Sequence, residues 1–241
     1  MYDVDNRPVQ LPLVTFTGID RNTDLDLLAR LQRRYPLAEF GVLISMKRSG
    51  MENRYLDMAL YDDLCRYDLN LSLHLCGSIA RNALQTNFSE VARMCGTSLY
   101  HFRRIQINGL SEIEDFGPVR ATAPAFVKEI IIQQNPNKKL LTDDSVFVCG
   151  ARVSYLYDGS GGLGKETPFC PLVVRRKEYL QTRVGYAGGI NPDNVLEKWH
   201  EAKGASLYPG MWIDMESGVR TDDWFDLDKV KKVLKQMFPL N

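Results

Sequence analysis

Two short stretches in the last quarter of the chain carry the residue types from which a phosphate cradle is made. The first, "VGYAGGINPDNVLEKW" from Val184 to Trp199, ends an apolar run on the paired glycines Gly188 and Gly189 and passes through Ile190 into a helix-like segment. Glycine lets main-chain N–H groups converge on an anion with no side chain in the way. Asn191 suits a helix cap, Pro192 a first turn and Asp193 the positive helix end, whose own N–H donors would add to the cradle. The second stretch, "WIDMESGVR" from Trp212 to Arg220, leaves its apolar run through Ser217 and Gly218. Further back, "YLYDGSGGLGK" from Tyr155 to Lys165 sets Asp158 at the end of an apolar run, before a glycine-rich loop containing Gly162. Such a loop can fold over a substrate with the carboxylate facing it. Taken singly, the glycine pair also reads as a plain βα turn, and Asp158 as a turn-initiating residue. The recurrence of small residues at two successive strand exits is what favours phosphate.

Holding these exits together requires a repeating scaffold, and the chain supplies one. Apolar runs predict strands at Leu11 to Phe16, Glu39 to Ser45, Leu69 to Leu75 and Phe102 to Ile107, then at Lys128 to Gln134, Arg152 to Asp158, Thr182 to Gly188 and Gly210 to Glu216. Between them lie helix candidates: Asn22 to Tyr35, with Leu25, Leu28 and Leu31 at helical spacing and Asn22 or Thr23 as cap, then Arg54 to Tyr67, then Ile79 to Met94. The segments after Asn108 and after Gly164, rich in proline and glycine, are the weakest helix candidates. Eight strands joined by crossovers imply parallel pairing. With no repeat or linker to divide it, the 241-residue chain is expected to be one α/β domain over residues 1–241, a single (β/α)8 TIM barrel; a doubly wound open sheet is the alternative. In barrels of this kind the exits of the seventh and eighth strands commonly hold phosphate.

Composition bounds the partners. Lys plus Arg number 30 and Asp plus Glu 30, so no basic field exists to draw in nucleic acid or an acidic membrane surface, and an anion must be gripped locally. The start, "MYDVDNRPVQ", has no leader-like apolar core and no run is long enough to span a membrane, which points to the cytosol. Cys65, Cys76, Cys95, Cys149 and Cys170 are scattered without a CxxC pair, which argues against a zinc site or a disulfide framework. No metal or organic cofactor is indicated.

The same segments resemble, in order, a known family. "YAGGINPDNV" followed by "IDMESGV" is similar to the last two strands of phosphoribosylanthranilate isomerases, with their AGGL turn, NPENV and VDVSSGVE. "YLYDGSGGLGK" is similar to the family's LLD and GGTGK, "RIQING" (Arg104 to Gly109) to its VQLHG, and "VTFTGID" (Val14 to Asp20) to its KICGIT. The resemblance implies a ribulose-phosphate-binding type of barrel. It also implies a cofactor-free Amadori rearrangement, in the tryptophan pathway, of an N-linked phosphoribosyl substrate to a ketose. It assigns the phosphorylated sugar to Gly188, Gly189, Ile190, Ser217 and Gly218, with Gly162 beside them, and the general acid to Asp158. Gln106 falls on the family's strand-four glutamine. The arginine for the anthranilate carboxylate corresponds to Arg54 by local sequence and to Arg48 by spacing.

The departures bear on the chemistry. Thr17 occupies the position of the family's cysteine, the base that removes the C2 proton. A cysteine ionises at about pH 8.5, whereas a threonine hydroxyl needs another base to take its proton. Candidate substitutes are Asp20, Asp214, which matches the aspartate of VDVSSG, and Cys76 at the third strand exit. His74, between Leu73 and Leu75, reads as a structural histidine. Asn108 replaces the family histidine of VQLHG, and "ETPFCPL" stands where the family has FDW. Isomerisation is the favoured function. A catalytically silent barrel that binds or senses a phosphorylated metabolite is the main alternative, and a lyase or epimerase on the same scaffold a third.

Overall fold

The computed structural model describes residues 13–110, 118–138, 146–161, 163–169, 182–207 and 210–239. Eight parallel strands close a barrel: β1 Val14–Thr17, β2 Ala38–Ile44, β3 Leu71–Leu75, β4 Phe102–Ile107, β5 Glu129–Gln134, β6 Arg152–Asp158, β7 Arg183–Ala187 and β8 Gly210–Met215. Each strand pairs with its sequence neighbours, and β1 closes on β8 with Val14 opposite Ile213 and Thr15 opposite Asp214. Every predicted strand forms, its ends within about three residues of those expected. The reason is physical: strands covered on both faces read as near-continuous apolar runs. Leu73, Ile105, Ile130, Val153, Val184 and Ile213 are all shielded from solvent. The closed barrel rules out the open sheet.

The helical layer follows the expectation less evenly. Helix α1, Leu25–Arg34, is capped by Asp24, whose carboxylate accepts from the Leu27 N–H, and not by Asn22 or Thr23. Thr23 instead donates its hydroxyl to Asp20. The second predicted helix shrinks to α2, Tyr61–Cys65, behind a single 3₁₀ turn. The third divides into α3, Ser78–Ala83, and α4, Ser89–Cys95, because Asn87 and Phe88 take left-handed backbone (φ 47° and 63°). Burial of the Phe88 ring anchors that turn, and the Asn87 carboxamide accepts from the Thr122 N–H. Around β5 the described residues form two short strands, Val119–Thr122 and Val146–Cys149, paired parallel outside the barrel. Helices α5, Val195–Ala205, and α6, Leu227–Met237, complete the layer after β7 and β8. Among the described residues no helix is long and apolar enough to cross a membrane.

The barrel interior is layered by charge as well as by bulk. Near the strand starts, Arg104 bridges Glu39 (2.5 Å) and Glu129 (2.7 Å), with Arg183 3.5 Å from Glu129, all of them buried. The guanidinium groups of Arg104 and Arg183 stand 4.6 and 5.0 Å from the buried Trp212 ring. Toward the strand ends the apolar filling gives way to an open cavity.

Candidate active site

The cavity, about 810 Å³, opens at the carboxyl ends of the strands, the face on which barrels of this kind build their sites. Its volume is ample for a phosphorylated small molecule. Register fixes its two principal carboxylates. Asp158 at the end of β6 stands opposite Ala187 of β7, and Ala187 opposite Asp214 of β8. The two aspartates therefore occupy one level of the wall two strands apart, a Cα separation of roughly 9–10 Å at ordinary strand spacing. That gap admits a sugar.

The environments of the two differ. Asp158 accepts from Gln133 Nε2 (2.7 Å) through one oxygen, and from the Ser160 N–H (3.0 Å) and hydroxyl (2.7 Å) through the other. These donors hold its carboxylate in one orientation. Asp214 is buried and accepts from the Thr17 hydroxyl at 2.7 Å. Burial pushes its pKa up to about 7, against the Thr17 hydrogen bond, and the nearby Glu216 and Glu39 charges push the same way. Gly41 of β2 makes room for this pair: a Cβ there would lie 2.6 Å from Thr17 Oγ1 and 2.9 Å from His74 Nε2. His74 pairs with Ser72, and burial drives its pKa down to about 3, so it faces the cavity as a neutral ring.

The other proposed bases fare differently. Asp20 does not line the cavity: Arg220 and the Phe225 N–H, from the hairpin Arg220–Phe225 that follows β8, bind it together with the Thr23 hydroxyl. Cys76 does line the cavity, but burial pushes its thiol up to about 11, far from a neutral-pH base.

The glycine-bearing exits of β7 and β8 meet on the same rim. A Cβ on Gly218 would fall 2.0 Å from the Ile190 carbonyl oxygen, so the two turns touch backbone to backbone. Gly188 and Gly189 have left-handed φ of 116° and 67°. A Cβ on Gly189 would strike the Glu166 backbone at 2.4 Å, so the loop after β6 lies directly against this turn. Gly162 lies outside the described residues. The predicted cap of the next helix is corrected: α5 begins after Asn194, while the Asn191 carboxamide accepts from the Asp193 N–H and closes a turn of its own. Asp193 pairs with Lys232 of α6 at 2.6 Å.

Gln106 lines the cavity, donating to Asn108 (3.0 Å), while its buried Oε1 meets no donor among the described residues; a ligand hydroxyl would satisfy it. Arg48 and Arg54 both reach the cavity mouth. Arg48 donates to the Tyr55 hydroxyl at 3.1 Å, whereas Arg54 is gripped by Glu216 at 2.9 Å and Asp223 at 2.6 Å. Burial, opposed by Arg54, leaves the Glu216 carboxyl above its ordinary value. Gln133, Ser160 and Glu216 were not among the sequence candidates. Gln133 directly follows the apolar core of β5, and only strand pairing reveals that it reaches Asp158.

A family model described as N-(5′-phosphoribosyl)anthranilate (PRA) isomerase matches residues 100–236, more than half of the chain. Among solved structures, a phosphoribosyl anthranilate isomerase from Thermococcus kodakaraensis is similar at TM-score 0.51 and 16% identity, over 95% of this chain and 100% of that one. An N-(5′-phosphoribosyl)anthranilate isomerase from Pyrococcus furiosus is similar at TM-score 0.51 and 13% identity, with the same coverage. At these identities the two structures speak to fold alone. No curated protein gives a significant match.

Proposed function

The chain belongs to the N-(5′-phosphoribosyl)anthranilate isomerase family, and we propose that it catalyses an Amadori rearrangement of an N-linked phosphoribosyl substrate with an aspartate in the place of the family's cysteine base. One observation carries this reading: Thr17 does not stand alone but donates to Asp214, a buried carboxyl whose pKa is raised to about 7. A base is most effective when its pKa lies near the working pH. Thr17 is then a positioning residue, turning one carboxylate oxygen away from the substrate so that the other faces it.

In this scheme the phosphate sits on the main-chain amides of Gly188, Gly189, Ser217 and Gly218, with Ile190 closing the turn behind them. Asp158, held by Gln133 and Ser160, protonates the ring oxygen as the furanose opens. The C1–N pair becomes an iminium, Asp214 removes the C2 proton, and the electron pair left at C2 neutralises the iminium to give an enolamine. In the tautomerisation C1 takes up a proton and the C2 hydroxyl gives one up, which yields the C2 ketone and returns Asp158 to the acid and Asp214 to the base. Gln106 Oε1 accepts from a sugar hydroxyl. Atoms and electrons balance without an external oxidant, and each step has a group two strands or fewer from the next.

The test is a steady-state assay with N-(5-phosphoribosyl)anthranilate and N-(5-phosphoribosyl)aniline, together with deuterium incorporation from D₂O into the sugar. Asp158→Asn is expected to lower kcat about 10²–10⁴-fold, the usual weight of a positioned proton donor, with little change in KM. Wild-type protein that neither turns over nor exchanges deuterium with either compound, while still binding ribose 5-phosphate, would make this a silent barrel instead. The phosphate assignment has its own check. Gly218→Ala forces a Cβ onto the Ile190 carbonyl, and an overpacked site costs about 1–3 kcal/mol. Calorimetry should show ribose 5-phosphate binding weakened roughly tenfold or more; unchanged affinity removes these turns from the phosphate site.

A further inference from the structure

His74 and Gln106 stand opposite each other in register on β3 and β4, and both line the cavity. Each is almost wholly buried, 1% and 3% exposed, where a polar atom needs a partner. The hydrogen bonds they already make determine what they have left to offer. Burial, with the Arg104 charge pushing the same way, brings the His74 pKa down to about 3, so the ring is neutral and carries one N–H and one bare nitrogen. Its Nε2 lies 3.0 Å from the Ser72 hydroxyl. Ser72 is shielded from solvent, and among the described residues this nitrogen is the only partner its hydroxyl meets. Ser72 therefore donates, Nε2 accepts, and the ring proton sits on Nδ1. Nδ1 has no partner among the described residues, so His74 brings an unused donor to the cavity wall.

Gln106 supplies the complement. Its Nε2 donates to Asn108 Oδ1 at 3.0 Å, and Asn108 Nδ2 donates to Cys76 Sγ at 3.4 Å, which keeps the Asn108 oxygen turned toward Gln106. Gln106 Oε1 is the atom left over, a buried acceptor with no donor among the described residues. One hydroxyl satisfies both groups, its oxygen accepting from Nδ1–H and its proton going to Oε1. A carbonyl satisfies only the first, and a methylene neither. The surroundings of the pair say which hydroxyl it is. A Cβ on Gly41 would lie 2.9 Å from His74 Nε2, 3.1 Å from its Cε1 and 2.6 Å from Thr17 Oγ1, so the imidazole edge borders the hydroxyl that holds Asp214. Asp214 acts at C2 of the sugar, and the oxygen nearest that proton is the one on C2 itself.

We propose that His74 and Gln106 form a donor–acceptor pair that reads the 2-hydroxyl of the sugar phosphate, with Ser72 and Asn108 as positioning residues that fix the histidine tautomer and the glutamine amide. This rests on the sugar-phosphate reading given above. When the 2-hydroxyl gives up its proton in the last step of the rearrangement, its oxygen becomes the better acceptor and keeps the His74 donor. The pair selects ribose-type substrates over their 2-deoxy counterparts, which leave a buried donor and a buried acceptor unpaired.

Calorimetric titration of wild-type protein with ribose 5-phosphate and 2-deoxyribose 5-phosphate tests the pair. Wild type is expected to bind ribose 5-phosphate roughly tenfold more tightly or better. His74→Leu and Gln106→Leu should each bring the two affinities close to equality. Ser72→Ala leaves the imidazole in place but frees Nε2 to carry the proton, so the ratio should shrink, and Ser72→Thr, which keeps the hydroxyl, should restore it. The chain has three histidines, so nitrogen-15 spectra of the imidazoles resolve His74 by its absence in His74→Leu and should show it protonated on Nδ1 at neutral pH. Equal wild-type affinity for the two sugar phosphates overturns the proposal. So does a His74 ring protonated on Nε2, or a ratio that stays at the wild-type value in either leucine variant. If the leucine variants do not fold, the wild-type ratio and Ser72→Ala still decide. Binding of neither sugar phosphate by wild type instead brings down the sugar-phosphate reading, and the assignment to His74 and Gln106 falls with it.

Discussion

Asparagine in place of Asp214 is expected to stop turnover while leaving the protein folded and, at alkaline pH, more stable than before. The substitution keeps shape and can still accept from Thr17 at the same 2.7 Å contact. It removes only the proton acceptor, for which a loss of about 10²–10⁴ in kcat is the ordinary scale. The pH dependence sharpens this. A base with a pKa of about 7 must be ionised to act, so wild-type kcat/KM rises with pH through about 7. Thr17→Val removes a donor that holds the pKa down, and the rise should move to higher pH. Stability runs the opposite way. The folded value is raised above the unfolded one, so the contribution from Asp214 is fully present below the unfolded pKa, about 4, and is lost as pH climbs through about 7. The carboxamide of Asp214→Asn is neutral throughout, so the thermal midpoint of the variant should exceed wild type at pH 8 and converge with it near pH 4. A variant that retains turnover within about tenfold of wild type sinks Asp214 as the base.

The parts of this arrangement that could be read from sequence are those where one residue type has one physical reason to be present. Eight apolar runs became eight strands, since a strand buried on both faces has no polar face to interrupt it. The exits with small residues were visible for the same reason, because Gly188, Gly189 and Gly218 lie where a Cβ would meet backbone or where φ is positive. Asp158 and Asp214 were legible as strand-end carboxylates. What was not legible depends on pairing across the barrel. Asp20 and Asp214 look alike in sequence, but Asp20 turns toward Arg220 and Asp214 toward the cavity, a choice made by a hairpin whose arginine lies 200 positions further along the chain. The commitment of Arg54 to Glu216 spans 162 positions. Likewise the break between α3 and α4 follows from the place Phe88 finds in the core, and the local pattern from Ile79 to Met94 carries no trace of it.

A second large effect is expected at the other end of the barrel, where Glu129→Gln should destabilise the fold by about 3–5 kcal/mol, the cost of removing one partner from a buried charge cluster. Glu129 accepts from Arg104 at 2.7 Å and from Ser154 at 2.5 Å, and lies 3.5 Å from Arg183. Burial pushes its carboxyl up, yet Arg104, Arg183, Ser154 and Arg152 together outweigh burial and hold it below its ordinary value. Without it, Arg104 keeps Glu39, but Arg183 loses its principal counter-charge, and burial has already brought Arg183 down to about 10. The guanidinium groups of Arg104 and Arg183 would then flank Trp212 without the carboxylate that both of them face. A depressed carboxyl contributes stability above its unfolded pKa and loses it as pH falls through the lower folded value, so the gap between wild type and Glu129→Gln should close in acid. Urea denaturation at pH 7 and at pH 3 measures both numbers. Because this cluster sits at the strand starts and the cavity at the strand ends, the folded fraction of Glu129→Gln should keep wild-type kcat. A variant as stable as wild type at pH 7 would mean that the cluster repays no more than its own desolvation, and that the barrel interior would tolerate an apolar layer there.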